Sequence, residues 1–147
     1  MKIPKETAYF HYLNENPKNR KTGDCVIRAL TSALRIPYFD VLDGLVETSK
    51  KYGYSVTSVE NYDRYLKILG YAKKKQLRKL DNTKYTGEEF AQYLTDNMYD
   101  IVEDYPIIAN IGSHHVTVFI TYDDVVKCQD VWNPTDFTVG NYWVKVL

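Results

Sequence analysis

Only two cysteines, three histidines and two tryptophans occur in 147 residues, and nineteen basic and nineteen acidic side chains cancel to no net charge. A balanced chain lacks the excess of positive charge that marks a binder of nucleic acid or of an anionic membrane surface. No apolar run approaches the ~18 residues that cross a bilayer, and Met1 to Phe10 carry no apolar core of a signal peptide. The two thiols, Cys25 and Cys128, are therefore expected to stay free in a reducing cytoplasm. Repeats, low-complexity tracts and linkers are also missing, so residues 1–147 are read as one domain. What is present is 44% hydrophobic and 26% charged residues, a balance that folds rather than remaining disordered. Fourteen tyrosines against five phenylalanines supply half-buried core edges or binding surfaces.

The first twenty residues, with Asn14, Asn16, Pro17 and Asn19, read as an irregular surface segment. Helical spacing of Val26, Ile27, Leu30 and Leu34 predicts a helix over 24–34, stopped by Pro37. A second is predicted over 39–51 (Phe39, Leu42, Leu45, Val46) with Gly53 beyond its end. A third follows Ser58 and runs to Leu69, and Thr86 with Glu89 forms a capping box for a fourth. Strands are predicted over 106–111, 115–122, 125–131 and 142–147, with Asp123-Asp124 as a tight turn. Helices first and an antiparallel sheet last make the expected class α+β.

Cys25 opens the first helix, where unsatisfied amides and the positive end of the dipole favour a thiolate. Ninety residues on, His115 begins a strand, and Asp130 ends the next one. Thiol, imidazole and carboxylate are the parts of a thiol acyl-transfer site. The turn at Asp123-Asp124 sets Asp130 opposite about Thr117, on the face of His115, where it can orient the imidazole. Asn133 is a second candidate orienter. His114 faces the other side of the strand and is the alternative base. The Cys25 amide and the side chain of Asn19, six residues upstream, are candidate oxyanion donors. Gly23 leaves room for a substrate backbone. Asp24, His114, Trp132 and Asn133 are candidate substrate contacts, and the Trp132 indole is placed to shield the orienting hydrogen bond.

The order Asn19, Cys25, His115, Asp130 resembles that of oxyanion donor, nucleophile, base and orienter in the papain-like cysteine peptidase superfamily. The interval of six residues before the cysteine and the cysteine at the start of the first core helix also match. The interval of fifteen residues between histidine and carboxylate is similar to that of the bacteriocin leader-processing peptidases. The stretch Gly23-Asp24-Cys25-Val26-Ile27-Arg28-Ala29 resembles small phage and bacterial proteins with a papain-like core. The resemblance covers about Asn19 to Asn133. It departs at Asn19, where glutamine is usual, and at Val26, where an aromatic residue is common. It implies a papain-like α+β fold and hydrolysis of a peptide, isopeptide or amide bond by a Cys25–His115–Asp130 triad without a cofactor. It further implies a peptide or protein as substrate and a bacterial or phage-infected cytoplasm as setting.

Three rival readings follow from the residues. Zinc accepts ligands of the types found at His114, His115, Cys128 and Asp130, but adjacent strand histidines do not share one ion easily. The basic run Lys73, Lys74, Lys75, Arg78 and Lys79, flanked by Lys67, Lys84, Tyr71 and Tyr85, offers phosphate contacts, or else a solvated edge strand or loop. A papain-like fold used only to bind, as a phage factor acting on a host protein, is the third.

Overall fold

The computed structural model describes residues 3–146; Met1, Lys2 and Leu147, which fall in the expected N-terminal segment and the expected last strand, lie outside the described residues. Among the described residues five helices are present: α1 (Cys25–Leu34), α2 (Tyr38–Tyr52), α3 (Val59–Ile68), α4 (Gly87–Asn97) and α5 (Tyr99–Asp104). The strands are β1 (Phe10–Tyr12), β2 (Tyr71–Lys74), β3 (Ile107–Ile111), β4 (His115–Tyr122), β5 (Val125–Asp130) and β6 (Val139–Lys145). They form one sheet in the order β1-β5-β4-β3-β6-β2. The class is α+β.

Local chemistry sets the boundaries. Helix α1 buries Val26, Ile27, Ala29, Leu30 and Ala33 and ends where Arg35 turns left-handed at φ 56°. Pro37 precedes α2, and Gly53 at φ 81° closes it. The Ser58 side chain accepts the Asn61 amide at the start of α3, and Thr86 with Glu89 forms the reciprocal capping box of α4. Asp123 and Asp124, at φ 44° and 64°, turn β4 into β5. Val118 then pairs with Gln129 and Phe119 with Cys128, the register expected from that turn. Beyond it, the Thr117 hydroxyl donates to the Gln129 carbonyl at 3.3 Å.

The expected arrangement needs four corrections. The first twenty residues are not wholly irregular, because Phe10 is fully buried and β1 pairs parallel with β5. The sheet is therefore mixed, not antiparallel throughout. Helices also cover both faces rather than one. Ile108, Val116, Val118 and Trp143 pack with α1, α2 and α3, while Ile107, Phe119, Val126 and Cys128 pack with α4 and α5. The six residues of α5 are too few to show a period in sequence. The last strand starts at Val139, ahead of the expected Tyr142, and lies between β3 and β2. The basic run falls on edge strand β2 and the loop after it.

Two polar ties fix α1 against the sheet. Gln129 Nε2 on β5 donates to Ser32 Oγ on α1 at 2.6 Å, and Ser32 Oγ donates to Glu15 at 2.7 Å. Arg28 on α1 reaches Asp130 on β5, with Nη2 at 3.6 Å from Oδ1. These ties bring the start of α1 level with the adjoining ends of β4 and β5.

Candidate active site

Cys25 is the first residue of α1 and is half-buried. Asp24 stands at the N-cap, yet its carboxylate does not cap the helix. It is held instead by Arg28, by the Tyr38 hydroxyl at 2.7 Å and by Asn16 Nδ2 at 2.9 Å. No side chain satisfies the first amides of α1, so the amide of Cys25 remains available to an incoming oxyanion.

His115 opens β4. Its Nε2 lies 2.6 Å from Asp130 Oδ2, and the two side chains are only 15% and 3% exposed. The other ring nitrogen, Nδ1, is left for the sulfur. Asp130 is itself fixed: its Oδ1 accepts the Val131 amide at 2.7 Å and faces Arg28 Nη2. Its backbone carbonyl accepts the Leu13 amide at 3.1 Å, just past the pairing of Tyr12 with Asp130. The Trp132 ring lies 4.9 Å from the His115 ring and shields it, with Phe137 5.9 Å beyond.

The electrostatics run in one direction. Burial pushes the Cys25 thiol up, but the hydrogen bond from His115, the Val116 amide and the charges of His115 and Arg28 outweigh it and leave the thiol below its ordinary value. Burial pulls His115 toward neutrality, yet its bonds to Asp130 and Cys25 and their negative charges raise it to about 9. Lowered thiol and raised imidazole both shift the balance toward a thiolate–imidazolium pair. Cys128 behaves oppositely: burial and the Asp130 charge push it far up, against the Thr117 hydroxyl 3.2 Å away.

A cleft of about 430 Å³ opens on Cys25, a size suited to a short peptide segment or small ligand. Gly23, Tyr62, Asn110 and the doublet His114-His115 are among its lining residues. A side chain at Gly23 would meet nothing within 4 Å, so the approach to the sulfur is open there.

The other residues singled out in sequence are dispersed. His114 is exposed at the cleft rim. Asp24 is buried and engaged as described, outside the cleft lining. Asn133 Oδ1 accepts from the Thr135 amide and hydroxyl at 3.0 and 2.6 Å, closing a turn rather than bonding His115. Asn19 sits exposed at φ 52°, accepts from Asn14 Nδ2 at 3.4 Å, and lines neither cavity that Cys25 borders. Of the two candidate oxyanion donors, only the Cys25 amide belongs to a residue that lines the cleft. Cys128, one of the four zinc-type residues, is sealed in the sheet. Among the described residues no group of three His, Cys, Asp or Glu side chains gathers in ligating geometry.

Sequence reasoning missed Arg28 and Tyr62. Arg28 carried a signal: it is the one charge on the apolar stretch Val26–Leu30 and lies four residues after Asp24. Tyr62 carried none beyond its place on the buried stripe of α3. No known protein family, curated protein or solved structure matches this chain. No helix among the described residues is long and apolar enough to cross a membrane.

Proposed function

We propose that the chain is a thiol hydrolase with a papain-like arrangement, acting on a peptide, isopeptide or amide bond through Cys25, His115 and Asp130. One observation carries the reading: the His115 imidazole lies 2.6 Å from the Asp130 carboxylate and lines the same cleft as Cys25, whose thiol it draws below its ordinary value. A buried structural cysteine has no use for an oriented imidazolium, whereas a nucleophilic one requires it.

The chemistry follows from the geometry. The Cys25 thiolate attacks the carbonyl carbon, and a C–S bond forms as the carbonyl oxygen becomes an oxyanion facing the Cys25 amide. His115 gives its Nδ1 proton to the leaving nitrogen, the C–N bond breaks, and an acyl thioester remains. Water then attacks the thioester while His115 takes its proton; the C–S bond breaks and a carboxylic acid leaves. Asp130, held by Arg28 and the Val131 amide, keeps the imidazole in one tautomer throughout. Trp132 keeps water from the His115–Asp130 bond.

An activated ester tests the reading without knowledge of the natural substrate. With p-nitrophenyl acetate the protein is expected to release a burst of p-nitrophenolate stoichiometric with protein, with the acetyl group found by mass spectrometry on Cys25. The Cys25→Ala variant should show no burst. A burst that survives in Cys25→Ala, or acetyl groups found only on lysines, overturns the mechanism.

A further inference from the structure

We propose that the cleft beside Cys25 selects peptides carrying an uncharged carboxamide side chain, that of glutamine or asparagine, through a hydrogen-bonding pair formed by Tyr62 and Asn110. The inference rests on the thiol-hydrolase reading and adds a substrate class to it.

Tyr62 on α3 and Asn110 on β3 lie 48 residues apart in sequence and meet in the cleft lining, where Asn110 Nδ2 donates to Tyr62 Oη at 2.9 Å. That bond uses one of the pair's donors and one of its acceptors. Among the described residues, the Tyr62 O–H has no acceptor and Asn110 Oδ1 has no donor. Asn110 Oδ1 is not sealed in the interior either; among the described residues the one buried side-chain oxygen or nitrogen without a partner is Asn61 Oδ1. Turning the Asn110 amide over leaves the same remainder, since the tyrosine then donates and the amide nitrogen is free. Either way, one donor and one acceptor stand side by side beside the nucleophile.

A primary carboxamide is the complement of such a pair, since it offers a carbonyl oxygen and an N–H together. A carboxylate offers no donor and an ammonium no acceptor, so each leaves one partner unmatched. The rest of the cleft agrees. Val26, Val59 and Val116 give apolar walls for an aliphatic stem, and no Asp, Glu, Lys or Arg is among its described lining residues, where the His115 imidazole is already engaged by Cys25 and Asp130. Burial pushes the Tyr62 hydroxyl up to about 12, against the Asn110 bond and with the nearby Cys25 charge, so the tyrosine remains a donor. Tyr62 is 1% exposed and its ring is braced edge-on by Trp143 at 5.2 Å, which fixes the hydroxyl in place.

The test uses peptidyl vinyl sulfones that differ only in the side chain at either of the two residues nearest the electrophile: glutamine, asparagine, glutamate, lysine or leucine. The second-order rate of Cys25 modification is read by mass spectrometry, with iodoacetamide as a reference for thiol reactivity. A glutamine or asparagine probe is expected to react about 10-fold faster than the glutamate, lysine and leucine probes, in line with two neutral hydrogen bonds; which of the two leads identifies the source of the carboxamide. The ratio should fall toward one in Asn110→Leu, and also in Tyr62→Phe, which removes only the hydroxyl. Equal rates for all probes on a Cys25 that iodoacetamide modifies selectively would overturn the inference and leave the thiol reading standing. A preference that persists in both variants would overturn the assignment to this pair. A Cys25 no more reactive to iodoacetamide than an ordinary thiol would overturn the hydrolase reading beneath it.

Discussion

At the scale of single residues, the site depends on a cation that touches no substrate. Arg28 is 8% exposed and lies between two buried carboxylates, Asp24 and Asp130. Removing one member of such a group leaves charge buried without compensation, at about 3–5 kcal/mol. Arg28→Met is expected to lower the unfolding free energy by about that amount in urea titration, and Arg28→Lys to cost less while slowing Cys25 alkylation, since one ammonium cannot span both carboxylates. A stability loss near zero for Arg28→Met would show that the pair of carboxylates does not need it. The histidine doublet gives a second test. Nε2 of His115 is engaged by Asp130 while His114 is exposed at the rim, so His115→Ala is expected to remove the enhanced thiol reactivity and His114→Ala to leave it nearly intact, both read by iodoacetamide labelling. The reverse pattern would make His114 the base. Cys25, His115 and Asp130 were legible in sequence because a helix start and a two-residue turn are local signals that fix where a side chain lies. Asn19 misled because a short interval in sequence says nothing of direction: a left-handed turn aims its side chain at Asn14.

Elements were legible where caps and turns bound them. Ser58, Thr86 with Glu89, Gly53 and Asp123-Asp124 each end or begin an element within about a residue of its expected position. Thr86→Ala removes the reciprocal cap of α4 and is expected to cost about 1 kcal/mol with no effect on thiol reactivity. Gly87→Ala should cost more, because a Cβ there would stand 2.6 Å from the Thr135 Cα, a backbone atom that cannot swing away. Thermal unfolding of the two variants gives the order directly, and a harmless Gly87→Ala would contradict the close approach. The elements that escaped notice are short or held by partners distant in sequence. Strand β1 has three residues and exists because Phe10 is fully buried and the strand's backbone pairs with Cys128–Asp130. Phe10→Ala is therefore expected to destabilise by about 3–5 kcal/mol and to loosen the strand that carries Asp130.

Over the whole molecule, the site is a seam between layers: α1 brings the sulfur from one side, and the sheet brings imidazole and carboxylate. Sequence order suggested helices followed by a sheet; the interleaving of α4 and α5 onto the second face depends on Ile107, Phe119 and Val126 being apolar on the side away from α1, a pattern that a continuous apolar run conceals. The seam also fixes the pH response. His115, raised from 6.5 to about 9, keeps a proton in the folded chain that the unfolded chain releases. Alone it would stabilise fully below 6.5 and lose that contribution as pH rises through about 9. Cys25, lowered from 9.0, sheds its proton at a lower pH than the unfolded thiol does, so alone it would make stability rise with pH over the window just below 9.0. The two oppose, and wild-type stability is expected to change little across it. Cys25→Ala leaves only the histidine contribution, now raised by Asp130 alone, and its melting temperature is expected to fall relative to wild type as pH rises above 6.5. Parallel curves for the two proteins would contradict the coupling.

The most direct test is the rate of Cys25 carbamidomethylation by iodoacetamide as a function of pH, resolved from Cys128 by peptide mass spectrometry. The account predicts that Cys25 reacts with a midpoint below the free-thiol value of about 8.5, that Cys128 stays protected while the chain is folded, and that His115→Ala moves the Cys25 midpoint upward. An ordinary midpoint for Cys25, unmoved by that substitution, would contradict the account.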